Sequence, residues 1–138
     1  PMPTKDELSA FLTSEFPQTK CTIKELVKRG ATVVHKVGHE ELRPGGTVSG
    51  PVLMAVADVA LYVAILGEIG LVVLAVTTNL SINFLRKPSP DKAIIGRCSL
   101  IKVGKNLIVG EVNLYSDGET EPVAHVVGTY SLPPQRSS

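Results

Sequence analysis

The apolar positions of this chain change period along its length, and each change marks an element. Leu8, Phe11 and Leu12 recur at helical spacing within a polar run, which predicts an amphipathic helix from Lys5 to Phe16, stopped by Pro17. Thr22 to Arg29 reads as a further helical turn, so residues 1–30 form an N-terminal helical segment. Ala31 to Glu40 reads as a strand. From Pro51 to Leu66 the pattern is apolar on every side, as in a helix enclosed by other elements. Gly67 to Gly70 then turns the chain, and a strand runs from Leu71 to Leu85. Within it the period becomes two: Leu74, Val76, Thr78, Leu80, Ile82 and Phe84 face one way, and Thr77, Asn79, Ser81 and Asn83 the other. Strands over 93–103, 107–115 and 123–132 follow, joined by Gly104-Lys105-Asn106 and by the hairpin signal Ser116-Asp117-Gly118-Glu119. Residues 133–138 read as a loose tail.

This order describes a single α+β domain over residues 1–138: a curved antiparallel sheet of five or six strands wrapped round one long central helix. The polar face of the Thr77 strand is left for solvent, ligand or another subunit. Between Val52 and Val76 the only charges are Asp58 and Glu68, so a membrane span, which needs about 20 apolar residues, has to be weighed. The central carboxylate and the break at Gly67-Glu68-Ile69-Gly70 favour a buried helix followed by a strand, with no membrane partner.

Composition adds exclusions. A net charge of +1, without a basic run or interleaved aromatics, gives no reason to expect a nucleic-acid partner. Cys21 and Cys98 lie far apart, match no metal spacing and read as reduced, partly buried thiols. No signal peptide precedes the first polar segment, which points to the cytoplasm. His35 and His39, four apart in the expected strand, are too distant for a tight metal pair, and His125 stands alone in the last strand. No metal is expected.

One residue breaks the apolar pattern of the central helix. Asp58 has only Met54, Ala55, Leu61 and Tyr62 one turn away, and burying a carboxylate costs several kcal/mol unless partners or a job compensate it. Its structural explanation is a kink or an ion pair to Arg43 or Arg86. Its chemical one is a working acid. The turn-forming stretch Arg43-Pro-Gly-Gly-Thr-Val-Ser-Gly50 runs into this helix, and Pro51 suits its first position while donating nothing. The Gly50 N–H is therefore the candidate oxyanion donor at the helix start, where the dipole favours negative charge.

With these residues in place, the chain resembles the hotdog-fold acyl-CoA thioesterases, in particular the phenylacetate-pathway group, over roughly Ala31 to Leu132. Members typically carry His-Gly-Gly at the start of the central helix and an acid seven residues after the last glycine; Ser49-Gly50-Pro51 and Asp58 stand in those places. Only the middle glycine and the acid are kept. A Ser or Thr often lies near the acid on the following strand, where Thr77 falls, with Asn79 beside it. The family's Lys-x-Gly-Lys turn is matched by Lys102-Val103-Gly104-Lys105, and Arg43 takes a position that is Asn or Gln in some members.

The resemblance implies hydrolysis of an acyl-CoA thioester to free acid and CoA, with no cofactor, since CoA belongs to the substrate. Asp58 would act as general base or as nucleophile, a choice left open, with Gly50 and Thr77 as its catalytic companions. Either role requires the ionised form, which burial disfavours. Ser49, Arg43, Asn79, Arg86, Lys87, Lys102 and Lys105 are the candidate substrate contacts, the cations clustering at strand ends for the CoA phosphates. The family also implies a site shared between subunits, a homodimer through a continuous sheet, and a further pairing into a dimer of dimers. The alternative is a non-catalytic hotdog module that binds acyl-CoA as a sensor, against which the retained Asp58 argues. A dehydratase or hydratase would need a His in the loop or helix, and none is there.

Overall fold

The computed structural model describes residues 2–44, 46–71 and 75–133. Helix α1 (Lys5–Glu15) begins with a reciprocal cap: the Thr4 hydroxyl accepts from the Glu7 N–H at 3.1 Å and the Glu7 carboxylate accepts from the Thr4 N–H at 2.9 Å. Leu8 and Leu12 are buried, as their spacing predicts.

Thr22 to Arg29 is not helical. It forms strand β1 (Cys21–Val27) and a tight turn into β2 (Gly30–His35). Pairing decides the matter: Cys21 and Ile23 bury against the core while Thr22 and Lys24 stay exposed, and cross-strand packing outweighs a weak helical preference. Arg29 closes the turn at φ 57°, its N–H donating to the Glu68 carboxylate at 2.8 Å. Strand β2 stops at His35 rather than reaching Glu40. There Glu41 folds back, accepting from the Gly38 N–H at 2.7 Å and meeting His35 Nε2 at 2.9 Å, and His39–Glu41 forms a 3-10 turn. His35 and His39 thus do not share a strand. A small hairpin, β3 (Leu42–Arg43) with β4 (Thr47–Val48), leads into the central helix.

Helix α2 (Gly50–Ile69) runs past the expected stop at Leu66. Gly67 lets Leu26 approach instead of turning the chain; a Cβ there would sit 2.9 Å from a Leu26 methyl. Gly70 ends the helix at φ 97°, its N–H donating to the Leu66 carbonyl at 2.9 Å. Strands β5 (Val76–Phe84), β6 (Ile94–Val103), β7 (Leu107–Ser116) and β8 (Ala124–Ser131) complete a six-stranded antiparallel sheet of order β1-β2-β6-β7-β8-β5. The last three lie within one residue of the bounds their patterns predict. Residues 72–74, which include the expected inward Leu74, lie outside the described residues, as does most of the expected tail.

Helix α2 is long and apolar enough to cross a membrane by length and composition, yet it is the core of this domain. Sheet glycines make room for it. Gly110 and Gly128 face each other across β7 and β8, and a Cβ on either would lie 2.7 or 2.4 Å from a Leu61 methyl. This is the hotdog architecture: one helix gripped by one curved sheet.

Candidate active site

Asp58 lies just over two turns into α2, half-buried rather than sealed in the core. It borders a cavity of about 470 Å³ whose wall includes Leu12, Phe16, Tyr62, Val76, Thr77 and Tyr130. Neither Arg43 nor Arg86 reaches it. Its partners are two hydroxyls: Thr77 Oγ1 donates to Oδ1 at 2.7 Å, and the Tyr130 hydroxyl donates to the same oxygen at 2.7 Å and to the Asp58 carbonyl at 3.2 Å. Two O–H donors thus share one oxygen of the carboxyl group. Among the described residues none donates to Oδ2, so the carboxylate is oriented while one oxygen is left for chemistry.

Strict alternation along β5 places Thr77 on the face opposite Leu80 and Ile82. A β-bulge between Thr77 and Asn79 cancels that: Thr77 pairs with Tyr130 and Asn79 with Thr129, leaving Thr78 as the extra residue. Beyond the bulge Leu80 and Ile82 still pack on the core, and before it Thr77 reaches the helix as well. The bulge re-aims one hydroxyl at Asp58. Asn79 stays exposed on the strand.

Tyr130 was not among the residues expected from sequence. The signal was present, since Ala124, Val126, Gly128 and Tyr130 alternate as the buried face of β8. Burial first, then the Asp58 charge and the hydrogen bond to it, push the Tyr130 hydroxyl above the ordinary tyrosine range, so it remains a donor.

Gly50 lies elsewhere. Eight residues before Asp58 on one helix, it is about 12 Å away along the axis. It opens on a separate cavity of about 300 Å³ with Thr47, Leu53, Phe84, Leu85, Arg86 and Lys87. Ser49 caps the helix, its hydroxyl accepting from the Val52 N–H at 3.4 Å, and the Gly50 N–H meets no acceptor among the described residues. Arg43 is exposed on the β3–β4 hairpin.

The four expected phosphate contacts do not cluster. Phe84 aligns through Ala124 with Leu114, whereas Val76 aligns through Ser131 with Leu107, so Arg86 and Lys87 lie at one end of the sheet and Lys102 and Lys105 at the other. Strand β5 alone separates these ends by about 27 Å. The Arg86 guanidinium is also engaged, donating to the Pro122 carbonyl at 2.9 Å and to Glu121 at 3.3 Å. Among the described residues no three His, Cys, Asp or Glu side chains are grouped to hold a metal.

Comparison with known proteins recovers the same fold and a family. The thioesterase superfamily pattern matches residues 45–123, more than half of the chain. The chain belongs to the thioesterase superfamily. A solved candidate thioesterase from Silicibacter is 45% identical, with a TM-score of 0.87 over 94% of this chain and 92% of its own. At lower identity the likeness is one of fold. The phenylacetic acid degradation protein PaaI from Thermus thermophilus is 22% identical, with a TM-score of 0.73 over 90% of this chain and 99% of its own. Zebrafish thioesterase superfamily member 2 is 17% identical, with a TM-score of 0.84 over 95% and 99%. No curated protein matches the sequence. Membership of the superfamily supports thioester hydrolase activity and carries no assignment of catalytic residues.

Proposed function

We propose that this superfamily member is an acyl-CoA thioesterase whose acid is Asp58. The observation that carries the reading is the convergence of Thr77 and Tyr130 on Asp58 Oδ1, which fixes the carboxylate and leaves Oδ2 without a donor among the described residues. As general base, Asp58 takes a proton from water as the water oxygen attacks the thioester carbon. As nucleophile, it bonds to that carbon itself and forms a mixed anhydride that water then cleaves. In both routes the carbonyl oxygen becomes an oxyanion that collapses to expel CoA as its thiolate, and the proton released by the attacking water returns it to the thiol.

The oxyanion donor of the proposal is the Gly50 N–H of a second copy, because within one chain Gly50 is too far from Asp58 along the helix. Strand β5 is an edge of the sheet, with Val76 and Phe84 more than half exposed, which suits pairing with another β5 into a continuous sheet. Such a dimer, paired again into a dimer of dimers, is the proposed assembly, and the cytoplasm the proposed setting. Lys87 at the Gly50 end and Lys102 and Lys105 at the Asp58 end are the proposed CoA contacts, with Ser49, Arg43 and Asn79 at the periphery and Arg86 held back by Glu121.

The test is hydrolysis of a panel of acyl-CoA esters by the wild type and by Asp58→Asn. Turnover that collapses in the variant, with fold and assembly intact, is expected. Binding without turnover on any ester would make the protein a sensor module. Turnover that survives the substitution would place the chemistry elsewhere.

A further inference from the structure

Tyr62 stands one turn beyond Asp58 on α2, and both line the same cavity. Tyr62 is only 5% exposed, yet its hydroxyl has no hydrogen-bond partner among the described residues. Buried hydroxyls are nearly always satisfied, and one left alone beside a candidate site asks what completes it. Its neighbours do not. The ring meets Phe16 edge-on at 5.0 Å and lies 6.1 Å from the ring of Tyr130, whose own hydroxyl is committed to Asp58.

We infer that Tyr62 is a specificity residue, whose hydroxyl bonds an oxygen carried on the acyl group of the substrate. The inference rests on Asp58 being the acid of a thioesterase. Four residues of helix advance about 6 Å, which matches about five bonds of an extended chain at about 1.2 Å of advance each. With the thioester carbon at Asp58, an oxygen borne on the fourth or fifth carbon, about four or five bonds out, reaches the level of Tyr62. The substrate class is therefore an acyl thioester with a hydroxyl or keto oxygen at that distance, in preference to a plain alkyl chain. Phe16, half-buried at the end of α1, packs on Tyr62 and walls the same cavity.

The test compares 5-hydroxypentanoyl-CoA and 4-oxopentanoyl-CoA with pentanoyl-CoA. One hydrogen bond gives an expected preference of about tenfold in kcat/KM for an oxygenated ester. In Tyr62→Phe, which removes the hydroxyl and keeps the ring, the values converge; a merely structural loss would lower all three alike. Calorimetric binding of the same esters to Asp58→Asn reads the preference without turnover, so it separates failure of this inference from failure of the thioesterase reading. Equal handling of the three esters by the wild type in both assays, or a preference that persists in Tyr62→Phe, overturns it.

Discussion

At the Asp58 turn of α2 three elements converge: the helix supplies the carboxylate, the bulged start of β5 supplies Thr77, and the end of β8 supplies Tyr130. Eight residues earlier, at Gly50, the same helix presents an N–H with no acceptor among the described residues, a glycine against the Phe84 ring and an exposed apolar strand end. The first region is complete within one chain and the second is not. An acid needs only orientation, which intrachain hydrogen bonds provide, whereas an oxyanion donor does nothing until a carbonyl is held against it. In the proposed chemistry the two halves belong to different copies of the protein.

The largest effect should come from breaking the complete half. Asp58→Asn keeps the shape and removes the base or nucleophile, so kcat is expected to fall by about 10²–10⁴ on whichever ester the wild type cleaves best. The open half is tested by Gly50→Pro, which deletes the N–H while suiting the start of a helix. Ser49 already has the extended backbone, ψ 151°, that precedes proline comfortably. A loss of about 10²–10³ in kcat is expected. Gly50→Ala is its control, because its Cβ meets Phe84 at the same 3.1 Å but the N–H survives. If Ala and Pro are equally damaging, the lost group is space rather than a donor.

Smaller effects sharpen the intrachain half. Tyr130→Phe should lower kcat by about tenfold and Thr77→Ala by less, since either leaves one hydroxyl still orienting Oδ1. Equal and complete losses would mean that these groups do more than position. The smallest effect is on stability. The folded protein keeps Tyr130 protonated above the ordinary value of 10.0, while an unfolded chain releases that proton, so stability falls as pH climbs past 10.0. Urea unfolding on either side of that pH should show a shallower decline in Tyr130→Phe than in the wild type.

Much of this architecture was legible in the chain because it rests on local period: the enclosed helix, its polar start and the alternating strands after it. What was misread depended on distant partners. Thr22 to Arg29 has no helical or strand identity until β2 pairs with it, and Gly67 looks like a turn until Leu26 packs on it. At the candidate site the acid was visible as a polar exception. Thr77 was chosen through family resemblance, while its actual aim comes from a bulge that no alternation rule reveals. Tyr130 was hidden because a phenol on the buried face of a strand looks like core until its hydroxyl finds Asp58. The four cations looked like a cluster because all of them sit at strand ends, but those strand ends lie at opposite ends of the folded sheet.

The claim that the site is divided between copies is tested most directly by complementation. Asp58→Asn and Gly50→Pro proteins, each nearly inactive alone, are mixed, unfolded and refolded together, and assayed on the best ester. Random pairing makes about half of the dimers mixed, and each mixed dimer rebuilds one intact site of two, so about a quarter of wild-type activity should return through additive loss of independent groups. No recovery, from a mixture shown by mass to contain mixed dimers, would contradict a shared site and return both groups to a single chain.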